Sequence, residues 1–105
     1  MILIEGPALK ALLSGAKTSY VVKVDDGGGE TFGPLDEERS VGYYAGGVRP
    51  PVPGFYRLYE DRVCVTLGSG RFCDQYFRGP EGRIFRRAID RSGPAYEIIL
   101  TPSGG

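Results

Sequence analysis

Histidine and tryptophan are both absent from the chain. Without an imidazole there are no Ser–His or Cys–His nucleophile pairs, most zinc sites are excluded, and the usual general base near neutral pH is missing. No apolar run approaches the ~20 residues that cross a bilayer as a helix, so a soluble domain is expected. Lys+Arg and Asp+Glu balance at 13 each, and a net charge of zero supplies no global field toward nucleic acid or acidic membranes. Helix formers are sparse after residue 15. In their place, 17 Gly and 8 Pro cut the chain into short pieces suited to many strands and turns. Aromatic and β-branched residues are plentiful enough to exclude a disordered segment.

What is present is organised around Phe55 to Arg78, FYRLYEDRVCVTLGSGRFCDQYFR. Two runs rich in Val, Phe, Tyr and Thr flank Gly68-Ser69, a signal for a two-residue type II′ hairpin. That turn sets Leu67 against Gly70, Thr66 against Arg71, Val65 against Phe72 and Cys64 against Cys73. Pairs alternate outward from the closing pair, so the two cysteines fall on a non-hydrogen-bonded pair with Cα atoms about 4.5 Å apart, within disulfide range. The only cysteines of the chain are therefore expected to form a bridge, and with it an oxidising compartment, periplasmic or secreted. The spacing C-x8-C lacks the C-x-x-C geometry of a redox pair. No signal peptide is visible, because Ile2-Leu3-Ile4 is too short and follows no basic region; an exported chain here reads as a mature domain with an initiating Met.

The 105 residues form one domain, 1–105, with a frayed tail at 101–105. Gly6 as N-cap, Pro7 at the first helical position and Gly15 after the last turn bound a short helix whose Leu9, Leu12 and Leu13 make one apolar stripe. Two turns cannot stand alone in water, so that helix must lie on the β-structure. Thr18–Val24, Glu30–Phe32, Val41–Ala45, Phe55–Glu60, the cysteine hairpin, Arg83–Ile89 and Ala95–Leu100 read as strands. Gly33–Ser40 reads as a polar connection with one helical turn at Leu35–Glu38. Three prolines within Pro50–Pro53 favour a polyproline-type segment and forbid a central strand. The expected fold is mostly β: a small antiparallel β-barrel or sandwich of about seven strands with one short N-terminal helix.

Ala11-Leu12-Leu13-Ser14-Gly15, Gly54-Phe55-Tyr56 leading to Asp61-Arg62-Val63-Cys64, then Cys73, Phe77 and Gly82 resemble a family of small exported β-proteins of unknown function from alphaproteobacteria. That family has a helix ending Leu-x-Gly, a Gly-aromatic strand and two hairpin cysteines. The resemblance implies export, a disulfide and a β-fold, and no chemistry. The chain departs from it in having no Trp after the strand-opening Gly and in carrying the Pro-rich insert at 50–53.

Asp25, Asp26 and Glu30 gather around a Gly turn that could chelate a hard cation, but the spacing is not that of an EF-hand, and a solvated hairpin turn is the preferred reading. Asp36-Glu37-Glu38 is read as a solvated acidic face. The Gly104-Gly105 ending suggests a ubiquitin-like tail, yet no long central helix accompanies it. Arginine and aromatic residues interleave through the second half, at Arg57, Tyr59, Arg71, Tyr76, Phe77, Arg78, Arg83, Phe85, Arg86 and Arg87. Residues 1–54 carry five basic and seven acidic side chains; residues 55–105 carry eight and six. By alternation Arg83, Phe85 and Arg87 share one strand face, and Ile84, Arg86 and Ala88 the other.

Guanidinium groups among rings suit anionic groups, glycans or a partner surface, and also single-stranded nucleic acid. The alternative is a plain surface laced with ion pairs to Asp61, Asp74, Glu81 and Glu97. The expectation is an exported, non-catalytic binding module with no metal and no cofactor. It would recognise a protein or anionic envelope component, a hydrolase inhibitor being one form, through Arg57, Tyr59, Arg78, Arg83, Phe85, Arg86, Arg87 and the rigid Pro50, Pro51 and Pro53. No nucleic-acid partner is expected. The rival is a small-ligand carrier with a lumen lined by Tyr20, Val22, Tyr44, Leu58 and Ile84. An enzyme would need a cleft in which two carboxylates converge with Lys10, Lys17 or Lys23.

Overall fold

Alternation of apolar and polar residues across short Gly-bounded segments builds a closed sheet. The computed structural model describes residues 1–20, 29–47, 52–89 and 93–102. In chain order the elements are β1 (Ile2–Ile4), α1 (Pro7–Leu13), β2 (Ala16–Tyr20), β3 (Gly29–Asp36), β4 (Val41–Gly47), β5 (Val52–Leu58), β6 (Val63–Leu67), β7 (Gly70–Arg78), β8 (Ile84–Ala88) and β9 (Tyr96–Pro102). All pairings are antiparallel. Eight strands close in the order β7-β6-β5-β4-β3-β2-β9-β8 and back to β7. β7 has three partners: Gly70–Asp74 pair with β6, Tyr76–Arg78 continue that edge with β1, and Asp74–Arg78 pair with β8 on the other edge. Among the described residues no helix is long and apolar enough to cross a membrane.

The hairpin has the expected register, with Leu67 opposite Gly70 and Cys64 opposite Cys73. Gly68 takes a φ of 57° while Ser69 stays out of the positive-φ region, as a type II′ turn requires. The sulfurs are bonded, and the two Cα atoms are 4.0 Å apart.

Four expectations are corrected. β3 does not stop at Phe32; it runs to Asp36 through a bulge between Phe32 and Leu35. Pro34 sits inside that bulge, where no ladder N–H is needed. The expected helical turn is thus replaced by strand as far as Asp36 and a tight turn at 37–40, in which Asp36 Oδ1 accepts from the backbone N–H of Glu38 and Arg39. Pro53 is a strand residue, paired with Ala45 of β4. Pro53 is tolerated because β6 reaches only as far as Phe55, leaving Pro53 one unpaired side. Ile2–Ile4 is a strand, which brings the count to nine. Thr101 and Pro102 belong to β9, opposite Lys17 and Ala16, so only the last three residues of the expected tail lie outside the described chain.

The interior is filled by Ile4, Leu9, Leu13, Phe32, Tyr44, Tyr56, Val63, Val65, Tyr76 and Ile98. Rings alternate with glycines across β4 and β5: Tyr44 faces Gly54, and Tyr56 faces Gly42. A Cβ on Gly42 would lie 2.4 Å from the Tyr56 ring, so the missing side chain is what admits the aromatic. Phe32 meets Tyr44 and Tyr56 edge-on, at 5.2 and 5.1 Å. α1 plugs one end of the barrel. Gly6 N–H donates to the Glu60 carbonyl, Gly15 N–H to the Gly33 carbonyl, and Ser14 Oγ accepts from Leu35 N–H.

Candidate functional site

Strand alternation divides the second-half arginines between two environments. Ile84, Arg86 and Ala88 point inward, and Arg86 is only 2% exposed. Arg86 is therefore removed from the partner-binding surface and belongs to a buried polar cluster. Its Nη1 donates to Glu30 Oε1 at 2.5 Å and to the Tyr76 hydroxyl at 3.2 Å, and its Nε donates to the Tyr96 hydroxyl at 2.8 Å. Thr18 Oγ1 and Tyr44 Oη donate to the two carboxylate oxygens of Glu30.

Burial by itself pushes the Glu30 carboxyl up. The Arg86 guanidinium and the hydrogen bonds from Tyr44 and Thr18 outweigh it, and Glu30 is held below the ordinary carboxylate range. Arg86 is held protonated: burial opposes its charge, and the surrounding Tyr76, Glu30 and Tyr96 oxygens more than compensate. Burial raises Tyr44 and Tyr76, and pushes Tyr56 up to about 12 against a Ser14 hydrogen bond acting the other way.

These tyrosines have a testable consequence. A phenol whose folded pKa lies above the unfolded ~10 contributes stability that is fully present below pH ~10 and lost as pH rises through the folded value. The phenolates of Tyr44, Tyr56 and Tyr76 are expected to form only as the barrel unfolds, so absorbance and circular dichroism should change together on the alkaline side. Full ionisation of all seven tyrosines with native dichroism would contradict the buried cluster.

Outside, the register builds a continuous wall from β4 to β8, which wraps half of the barrel. On β5, β6 and β7, Phe55 faces Thr66 and then Arg71; Arg57 faces Cys64 and then Cys73. Tyr43 on β4 lies opposite Phe55, and Phe77 on β7 lies opposite Phe85 on β8. Arg87 stands 5.2 Å over the Phe77 ring and Arg83 5.5 Å over Phe85. The outward strand positions of β4–β8 carry Arg57, Arg71 and Arg87, four aromatic rings, and no carboxylate. Among the described residues none of those three arginines pairs with an acid. Arg83 differs, since its fork grips Glu97 at 2.6 and 2.8 Å.

The cystine lies on this face, yet Cys64 is 4% exposed. Arg71 Nη2 donates to the Tyr59 hydroxyl at 3.2 Å, and by register Tyr59 and Arg71 lie at opposite corners of the patch centred on Cys64. Seven acids (Glu5, Asp36, Glu37, Glu38, Glu60, Asp61 and Glu81) sit in the segments around the α1 end, partly offset by Lys10–Glu37, Arg39–Asp36 and Arg62–Asp61 pairs.

The structure thus turns Arg57, Tyr59, Phe85, Arg87 and Pro53 outward, but sets Pro53, Arg57 and Tyr59 on or just after β5, three strands round the ring from Phe85 and Arg87 on β8, with Arg83 just before β8. Arg78 falls on the opposite alternation, at the end of β7 between Ile2 and Ile84. Pro50, Pro51, Asp25, Asp26, Val22 and Lys23 lie outside the described residues. Glu30 is spent on Arg86, and no metal-binding group of three occurs among the described residues. Lys10 pairs with Glu37, and Lys17 is exposed on β2. Of the lumen residues, Tyr44 is buried, while Leu58 and Ile84 pack against the core. Sequence reasoning left Tyr43, Phe55, Arg71 and Phe77 out of the site. The hairpin register held the signal, because every second residue counted from a cysteine shares its face. No family model matches the chain, and neither does any curated protein or solved structure.

Proposed function

We propose that this chain is a non-catalytic binding module that engages an anionic partner, a protein or an envelope component, through the outer face of β4–β8. One observation carries the reading: in a net-neutral chain the outward strand positions of β4–β8, half of the barrel wall, carry three arginines, four rings and no carboxylate. Exposed guanidinium groups near rings suit carboxylate and phosphate recognition, and a one-sign field speeds encounter with an opposite one. Among the described residues the inward side chains pack into one core, which favours the surface reading over a carrier with a lumen. The cystine supports an oxidising compartment, periplasmic or extracellular, as part of the same proposal. An inhibitor of an extracytoplasmic hydrolase is one form of it, resting on Pro53 beside the stapled hairpin.

The test is retention of the pure protein on immobilised polyglutamate at low salt. Arg57→Glu/Arg71→Glu/Arg87→Glu should elute without retention, while Lys17→Glu, on β2, should elute nearly as the wild type does. Equal retention of the triple variant and the wild type would remove the face from the argument.

A further inference from the structure

The strongest unassigned feature is a shallow groove of about 400 Å³ on the outside of β3–β5, lined by Pro34, Asp36, Arg39, Tyr43, Phe55 and Arg57 among others. Its base is the cross-strand pair Tyr43 and Phe55, which are 51% and 62% exposed. Two large rings left side by side in water mark a contact surface. Arg57 stands beside them, with Nη1 donating to the Arg39 carbonyl at 3.2 Å. That bond fixes the guanidinium and leaves Nε and Nη2 free to grip a carboxylate. Asp36 also borders the groove, but both its oxygens are engaged, Oδ1 by the N–H of Glu38 and Arg39 and Oδ2 by Arg39 Nε. The Asp36 and Arg39 charges cancel, and Arg57 leaves the groove at +1.

We propose that this groove is the subsite for one residue of a carboxylate-bearing polysaccharide, a hexuronic-acid chain, with the sugar ring lying on Tyr43 and Phe55 and its carboxylate on Arg57. The inference deepens the anionic-face reading and rests on it. A peptide fits the groove less well. β4 is paired on both edges, so it offers no backbone for strand addition, and the groove is too shallow for a buried side-chain anchor. A pyranose asks for neither: it lays a flat C–H face on the rings and keeps its hydroxyls in water. Arg71 and Arg87 continue the positive face beyond the groove, so a polymer gains more than a single sugar does.

The experiment compares three polymers by titration calorimetry with the native, oxidised protein: polygalacturonate (rings and carboxylates), polyglutamate (carboxylates alone) and dextran (rings alone). Polygalacturonate should bind about tenfold more tightly per carboxylate than polyglutamate, a ratio in line with ring-on-aromatic stacking, and dextran should not bind. Tyr43→Ser/Phe55→Ser alters only exposed side chains, and it should erase that ratio. Equal affinity of the wild type for the two polyanions, or an unchanged ratio in the double variant, would overturn the sugar subsite and leave the anionic face standing. Tighter binding of polyglutamate would assign the groove to acidic peptides instead. Binding of neither polyanion would overturn both readings.

Discussion

Arg86→Met is expected to cost about 3–5 kcal/mol of folding stability, because it leaves the Glu30 carboxylate inside the barrel without its cation. The ion pair links β3 to β8 across 56 residues of chain, and Thr18, Tyr44, Tyr76 and Tyr96 hydrogen-bond to one or other partner. Glu30→Gln/Arg86→Met keeps one acceptor oxygen for Tyr44 or Thr18, offers an N–H to the other hydroxyl, and removes the stranded charge. It should recover at least about 1 kcal/mol relative to the single variant, as expected when a buried unpaired charge is neutralised. The two proteins should also differ in sign with pH. In the wild type Glu30 is held low, so its contribution is present above ~4.3, the unfolded value, and lost as pH falls through the folded one. In Arg86→Met the cation is gone and burial, the largest influence on that carboxyl, is opposed only by the Tyr44 and Thr18 hydrogen bonds; it is expected to raise the group, so stability should improve as the solution is acidified from neutrality. Urea denaturation at several pH values measures both effects. A single variant within about 1 kcal/mol of the wild type, the range of a surface substitution, would show that the cluster does not hold the barrel.

Leu13→Ala should cost about 2–5 kcal/mol, a large-to-small change at a fully buried site. For a domain of this size that corresponds to a fall in melting temperature of about 10 °C or more. The helix has only two turns and no intrinsic stability, so Leu9 and Leu13 are what bind it to the barrel end. Lys10→Ala, which removes only the solvent-exposed ion pair with Glu37, should change stability by well under 1 kcal/mol. Thermal unfolding followed by circular dichroism separates the two. Equal shifts would mean that the surface pair, and not the apolar stripe, fixes the plug.

The features legible in the sequence were those set by a few neighbouring residues. Gly68-Ser69 fixed the hairpin register and so the cystine. Gly6, Pro7 and Gly15 bounded the helix. Alternation correctly separated Arg83, Phe85 and Arg87 from Ile84, Arg86 and Ala88. Which of those two faces was wet depended on closure: β7 pairing with β8, and β2 with β9 some eighty residues away. No local signal carries that information, and Arg86 was accordingly placed on the surface. Glu30 shows the same limit from the other side. Its place at the opening of a strand is legible, but its carboxylate reads as part of a solvated turn, whereas the side chain points inward to Arg86. Ile2–Ile4 could not be seen as a strand because its partners are Tyr76, Phe77 and Arg78, far along the chain.

The cross-strand cystine also determines what limited proteolysis would yield. The Gly68-Ser69 bend is solvent-exposed and free of close neighbours around Gly68, which makes it accessible to a protease. Cutting there divides the chain into 1–68 and 69–105 while the sulfur–sulfur bond keeps the two pieces in one molecule. Such a nicked species should migrate as intact protein on a denaturing gel without reductant and as two bands with it.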